Sequence, residues 1–238
     1  MDKFVVYTDE NGIVLDDAIL IKVTKMEYIP SLLDGKLYMS TLSKFRKMDQ
    51  DGVGDDQEGL LGIMPSGIMQ YNDMDIADVK DVHVYLNNHP VFCTLAVPLK
   101  KVSEDIQEFC LEKKYLEEFM FEKDAKYGML VFHKDSLKQR LDEVFNQEGI
   151  CGYFEKVNYS DDTSFPEKGE EWTAAFRKRT RFQHQHEYRL FLSHEIEGDS
   201  CVIDIGDVRD FAWAFPIPDV DAEINIGMDF SKIKALKC

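Results

Sequence analysis

Short segments rich in β-branched and aromatic residues recur along this chain, and they constrain its fold more than any other feature. These segments span residues 4–7, 19–24, 37–42, 82–86, 91–97, 127–133, 152–159 and 187–192. Helical spacing of apolar residues appears instead in residues 103–126 and 136–145. Because strands and helices are mixed without a regular alternation, the sequence predicts an α+β fold with a mixed, mainly antiparallel sheet and two or three amphipathic helices. We expect a single domain over residues 1–238, with a helical segment around 103–126.

The charge of the chain restricts its partners. Its formal net charge is -17, which excludes general binding to nucleic acid backbones, because such binding needs Lys and Arg to neutralise phosphates. The same charge suits a basic protein partner. No apolar run reaches the ~18 residues of a membrane span, and Asp2 stands where a signal peptide carries positive charge. We therefore expect a cytoplasmic protein without membrane contact.

No set of residues completes the ligand pattern of a metal site. The five cysteines are odd in number and widely spaced, which is typical of reduced thiols. On the predicted strand, His184 and His186 share a face, but a metal would need a third ligand from elsewhere. The acidic loop that starts at Asp49 fails as a calcium loop, since Val53 takes a ligand position and Leu60 stands where the bidentate glutamate is required. We predict no metal cofactor.

A cluster of basic residues with a glutamate inside it stands out in this acidic chain. The basic residues are Arg177, Lys178, Arg179, Arg181 and Arg189. In residues 187–192, strand spacing places Glu187, Arg189 and Phe191 on one face and Tyr188, Leu190 and Leu192 on the other. Glu187 is thus held on a rigid element. It is either a catalytic or ligand-binding carboxylate, or one member of an ion pair with Arg177, Arg181 or Arg189.

Short motifs spread over most of the chain resemble a broad family of bacterial, prophage and mobile-element proteins whose activity is not characterised. The matching residues are the run Leu32 to Ser40, Phe45, Val157, Tyr159, Phe182 and the triplet Glu187-Tyr188-Arg189. In that family the serine strand is usually followed by Phe-Asn-Asp-Pro and an acidic residue. Here Phe45 precedes Arg46-Lys47-Met48, and Glu58 is the candidate for the acidic role. The resemblance implies a fold and a phage or mobile-element origin.

A second set of residues resembles the split NAD site of mono-ADP-ribosyltransferases. That site uses an Arg or His on an early strand, a Ser-Thr-Ser or equivalent polar strand, and a glutamate on a later strand; here Lys22 stands in place of the Arg or His. Lys22-Val23-Thr24, Ser40-Thr41-Leu42-Ser43 and Gln185-His186-Glu187 follow this order. The resemblance implies Glu187 and Ser40 as catalytic residues, and it implies NAD binding by Lys22, Thr24, Tyr38 and Gln185. A carboxylate such as Glu187 would stabilise the oxocarbenium character that develops when the nicotinamide–ribose bond breaks.

A binding module is the alternative to an enzyme. G-x-S-x-G, P-loop, G-x-G-x-x-G and kinase signatures are all absent from the sequence. An acidic protein from a mobile element suits a function in which it covers the basic surface of a host defence or nucleic-acid-handling protein. Carboxylates gathered on one face would favour this function. A cleft that holds Thr24, Ser40 and Glu187 would favour the enzyme.

Overall fold

The computed structural model describes residues 18–48, 55–71, 74–98, 100–101, 106–112, 116–120, 122, 124–218 and 223–229. The predicted strand at residues 4–7 lies outside this part of the chain. The α-helices are α1 (Ile29–Leu33), α2 (Leu42–Lys47) and α3 (Lys134–Glu148). Short 3-10 helices span Met26–Tyr28, Glu117–Phe119, Glu171–Phe176 and Thr180–Gln185. The strands are β1 (Ala18–Lys25), β2 (Lys36–Thr41), β3 (Leu60–Met64), β4 (Gly67–Tyr71), β5 (Met74–Val79), β6 (Val82–Tyr85), β7 (Pro90–Pro98), β8 (Lys100–Lys101), β9 (Ile106–Glu112), β10 (Tyr127–His133), β11 (Gly152–Lys156), β12 (Asn158–Tyr159), β13 (Arg177–Lys178), β14 (Glu187–Leu192), β15 (Ser200–Asp204), β16 (Ala212–Pro216) and β17 (Glu223–Asp229).

An eight-stranded antiparallel sheet forms the centre of the fold. Its strands follow the order β11-β14-β7-β1-β10-β16, and β2 joins at β7 with β15 beside it. Smaller pairings involve β3 with β6, β4 with β5, β12 with β13, and β17 with β9 and β8. The predicted α+β class with a mainly antiparallel sheet is confirmed. Strands β2 and β14, which both carry candidate site residues, belong to this same sheet.

Both faces of the central sheet carry a hydrophobic core, so its inner strands bury apolar residues on both sides. In β1, Leu20 packs into the core on one face, while Ile19 and Ile21 pack on the other. All three are almost fully buried. The first face is covered by α1 and α3, and α3 contributes Leu137 and Leu141 to the core.

The ends of α3 follow capping rules. His133 precedes the helix, and its Nδ1 accepts a hydrogen bond from the backbone N–H of Ser136. Gly149 ends the helix in the left-handed conformation, with φ of 66°, which glycine adopts without strain. The predicted helix at residues 136–145 therefore lies within the observed one. Among the described residues, no helix is long and apolar enough to cross a membrane.

Two local predictions were wrong. Residues 106–112, expected within a helix over 103–126, form β9, which pairs with β17. Apolar residues four positions apart, such as Ile106 and Cys110, fit one turn of a helix and two repeats of a strand equally well, so long-range pairing decided the outcome. His184 and His186 do not share a strand face either. His184 lies in a 3-10 helix, and His186 has a left-handed φ of 43° just before β14.

Candidate functional site

The central sheet opens between β1 and β2. Residues 18–21 pair with residues 95–98 of β7, and residues 40–41 pair with residues 90–91 of the same strand. Since β14 occupies the other edge of β7, β1 and β2 share one edge. No described strand pairs with residues 92–94 on that edge, and β1 beyond Ile21 pairs only with β10. The two strands diverge and leave a cleft with the middle of β7 at its floor.

A cavity of about 640 Å³ fills this cleft. Phe92, Cys93 and Thr94 of β7 line its floor, where the sheet has opened. Residues from β1, β2, β14 and the loop before β3 also line it. Its volume lies within the range of about 300–1,000 Å³ that small-molecule sites occupy.

Five of the six residues that the sequence singled out line this one cavity. They are Lys22, Thr24, Tyr38, Ser40 and Glu187. The sixth, Gln185, is buried beside it: Lys178 Nζ donates to Gln185 Oε1 at 2.5 Å, and Gln185 Nε2 donates to Glu118 Oε2 at 3.2 Å. Gln185 therefore does not line the cavity; it contacts Lys178, which does.

The cavity wall is positively charged although the protein is acidic. Among the described residues, six cationic side chains line it: Lys22, Lys25, Lys36, Lys44, Lys178 and Arg189. Three described carboxylates line it as well: Glu58, Glu122 and Glu187. The formal excess of three positive charges contrasts with the net charge of -17 for the whole chain. Such a wall attracts an anion.

Four charged side chains form a buried network at the deep end of the cleft, which we call the charge quartet (Glu58, Lys178, Glu187 and Arg189). Arg189 binds Glu58 through two parallel hydrogen bonds, Nη1 to Oε2 at 2.8 Å and Nη2 to Oε1 at 2.9 Å. It also donates from Nε and Nη2 to Glu187 Oε2 at 2.9 and 2.7 Å. Lys178 Nζ lies 2.5 Å from Glu187 Oε1 and 3.3 Å from Glu58 Oε1. All four side chains are at most 7% exposed.

These contacts keep Glu187 ionised. Burial by itself would raise the pKa of Glu187, but the charges of Arg189 and Lys178 and their hydrogen bonds outweigh it and lower the pKa to about 2. Burial likewise opposes the charge of Lys178, yet Glu187 and Glu58 raise its pKa. The quartet therefore joins two basic side chains, Lys178 and Arg189, to two acidic ones, Glu58 and Glu187.

The partners of Glu187 were predicted in part. Arg189 was one of the three candidates, and the structure confirms it. Arg177 instead donates to the backbone oxygens of Asp162 and Ser164, and the guanidinium of Arg181 lies 4.6 Å from the ring centre of Phe182. Lys178 was missed as a partner. It belongs to the basic cluster, but only the short strand β13 turns its side chain towards Glu187.

Lys22 is the cation on β1, and its surroundings differ from those of the quartet. Its Nζ donates to the backbone oxygen of Cys93 at 2.9 Å and lies 4.7 Å from the ring centre of Phe92. No carboxylate of the described chain lies within 4.0 Å of it. Burial lowers the pKa of Lys22, and the nearby Cys93 and Glu187 only partly offset that effect.

Exposed aromatic side chains line the outer part of the cavity. Tyr28 is 51% exposed and Tyr38 is 52% exposed, and both belong to the wall. The Tyr38 hydroxyl accepts from Lys44 Nζ at 3.2 Å. Hydrogen bonds with Ser200 and Lys44 lower the pKa of Tyr38. Aromatic rings beside lysines offer stacking surfaces and positive charge to the same ligand.

Within the described ranges, no group of three or more His, Cys, Asp or Glu side chains is placed to hold a metal ion.

No protein-family model matches the chain, and neither a curated protein nor a solved structure matches it. The two resemblances stated from sequence motifs stay predictions.

Proposed function

We propose that the cleft between β1 and β2 binds a nucleotide of the NAD class and that the protein is an ADP-ribosyltransferase-like enzyme. The excess of positive charge around a cavity of about 640 Å³, in a chain with net charge -17, carries this proposal. Binding an anion there offsets like charges that the fold holds close together. A phosphate-bearing small molecule supplies that anion.

The side chains around the cavity suit the parts of such a nucleotide. Lys22 has no carboxylate within ion-pair distance in the described chain, so a phosphate beside Nζ would supply a counter-charge and favour the protonated amine. The hydroxyl groups of Thr24 and Ser40 are suited to the ribose. Tyr28 and Tyr38 offer faces on which a base can stack.

We assign the carboxylate of Glu187 to the chemical step. In the proposed reaction, water or an acceptor group forms a bond to the ribose carbon, the nicotinamide–ribose bond breaks, and nicotinamide leaves with the bonding electron pair. The attacking group releases its proton to solvent. A carboxylate that is ionised and fixed in place stabilises the positive charge of that transition state. Arg189 and Lys178 hold Glu187 in position. Their positive charges also weaken the negative electrostatic potential around its carboxylate. We therefore assign it a smaller contribution than an unpaired carboxylate would make.

Calorimetric titration with NAD tests binding. The matched variants are Lys22→Met, inside the cavity, and Lys156→Met, an exposed position on β11 outside it. A hydrogen bond to a charged group contributes about 1.5–3 kcal/mol, so we expect Lys22→Met to weaken binding by about 10- to 100-fold. Lys156→Met should bind NAD like the parent protein. Equal affinity of all three proteins would contradict the proposed role of the cleft.

Release of nicotinamide from NAD tests the chemical step. We expect Glu187→Gln to slow release at a temperature where a melting curve shows the variant to be folded. If the parent protein neither binds NAD nor releases nicotinamide, the proposal is wrong. The acidic binding module, with a basic protein as its partner, then becomes the function to test.

A further inference from the structure

Lys22 has the surroundings of a nucleophilic amine. We propose that Lys22 forms an imine with an anionic aldehyde or ketone that enters the cleft. This inference rests on the cleft as a ligand site but does not require NAD as the ligand. It assigns a covalent role to a side chain whose other proposed role is to attract phosphate.

The hydrogen bonding of Lys22 favours the neutral form of the amine. An ammonium group has three N–H donors, and the described protein offers Nζ one oxygen acceptor, the backbone oxygen of Cys93 at 2.9 Å, and the face of Phe92. A neutral amine needs fewer acceptors and keeps a lone pair. Desolvation acts in the same direction and lowers the pKa of Lys22. A half-buried lysine whose neutral amine keeps a lone pair is a nucleophile.

The charge quartet does not restore the missing counter-charge. Glu187 lies near enough to raise the pKa of Lys22, but its two oxygens already accept hydrogen bonds from Lys178 and Arg189. Glu58 is likewise bound by Arg189. Among the described residues, no carboxylate therefore lies within 4.0 Å of Lys22 to balance its charge. Strand pairing of β1 with β10 at Leu130 fixes the position from which it reaches into the cavity.

The reaction needs no oxidant, reductant or metal ion. The Lys22 lone pair forms a bond to the carbonyl carbon, and the C=O π electrons move to oxygen. Proton transfer from nitrogen to oxygen gives a carbinolamine. Loss of that oxygen as water, with the second proton of the amine, leaves the C=N bond. An amine and a carbonyl compound are thus converted to an imine and one water molecule.

The rest of the cavity indicates which carbonyl compounds fit. Lys36 and Lys44 line it from the β2 side, and Lys25 lines it from the β1 side. Lys25 is paired with Glu122 at 2.6 Å, whereas Lys44 contacts the neutral hydroxyl of Tyr38. Positive charge thus remains on the β2 side of the cleft for a phosphate or carboxylate. The substrate class is a small carbonyl compound with such an anionic group.

Trapping with pyridoxal 5′-phosphate, which has both an aldehyde and a phosphate, tests this inference on the full chain. The protein is incubated briefly with the probe and reduced with borohydride, and the modified lysines are identified by peptide mass spectrometry. We expect Lys22 to be modified at least about ten times faster than the exposed Lys156 and Lys168. Pyridoxal, which lacks the phosphate, should lose this selectivity. Lys22→Arg, with its fold checked by a melting curve, should leave only the slow background.

Modification of Lys22 at or below the rate of Lys156 and Lys168 would overturn the inference. The parent protein provides this result by itself, so a variant that fails to fold does not obscure it. Addition of NAD separates this inference from the proposed function. Selective trapping of Lys22 that NAD does not slow would support the imine and count against NAD as the ligand. Calorimetric binding of NAD without selective trapping would support the nucleotide site and refute the imine.

Discussion

Replacement of Glu187 by glutamine perturbs the charge quartet at its most connected carboxylate. The change keeps the shape of the side chain but removes a charge that Arg189 contacts at 2.7 Å and Lys178 at 2.5 Å. Glu58 is then the one remaining carboxylate of the quartet for two buried cations. Because these groups are shielded from water, solvent cannot replace the lost interaction.

The size of the effect follows from the pKa of Glu187. Folding lowers it from 4.5 to about 2, and each pKa unit corresponds to 1.36 kcal/mol, so ionised Glu187 stabilises the fold by about 3 kcal/mol at neutral pH. Loss of one partner from a buried ion pair costs a similar ~3–5 kcal/mol. For a chain of this length the melting temperature should fall by about 6–12 °C.

Urea unfolding at pH 7 measures this effect, with Glu155→Gln as the matched control. Glu155 lies on the neighbouring strand β11, is exposed, and pairs in register with Arg189; its replacement should change stability by less than about 0.5 kcal/mol. Because the pKa of Glu187 is lowered in the folded state, its contribution is fully present above pH 4.5 and is lost as the pH falls through about 2. The stability difference between parent and Glu187→Gln should narrow over that window. Equal loss in both variants, or a difference that does not depend on pH, would refute the reasoning.

Two further predictions concern the backbone and the thiols. Gly35→Ala should lower stability by more than ~3 kcal/mol in a thermal melt, because the residue has φ of +81° and an added Cβ would lie 1.8 Å from the Gly206 oxygen. Gly198→Ala, with φ of +89° and no atom within 4 Å of the added Cβ, should lose only ~1–2 kcal/mol; similar losses would show that the close approach does not matter. At pH 8 a thiol reagent should modify the exposed Cys151 at least about ten times faster than Cys93, whose pKa burial raises to about 11. Equal rates for the two cysteines would contradict the raised pKa of Cys93.

The sequence predicted those parts of the fold that local patterns determine. Residues 127–133 and 187–192 form strands with the predicted bounds, and the two faces of the second were assigned correctly, since Leu190 and Leu192 join one core and Phe191 another. Residues 106–112 were mistaken for a helix because their strand partner lies more than 100 positions away, in β17. A local pattern contains no information about such a partner.

The candidate site was predicted as a set of residue types but not as a network. The order of the motifs in the sequence indicated that Lys22, Ser40 and Glu187 belong to one site, and all three line the cleft. Glu58 binds Arg189 across 131 positions, and only the fold brings these two residues into contact. The opening of the sheet also depends on β1 and β2 pairing with different parts of the same edge of β7. The sequence of either strand alone does not indicate this arrangement.

The central claim is that the cleft between β1 and β2 binds an anionic nucleotide. A crystal structure determined after crystals of the protein are soaked with NAD tests this claim directly. We predict density for the ligand along the floor formed by residues 92–94, with a phosphate oxygen about 2.7–3.2 Å from Lys22 Nζ. The charge quartet should keep its contacts in the complex. Ligand density elsewhere on the protein, or an empty cleft at saturating NAD, would contradict the account.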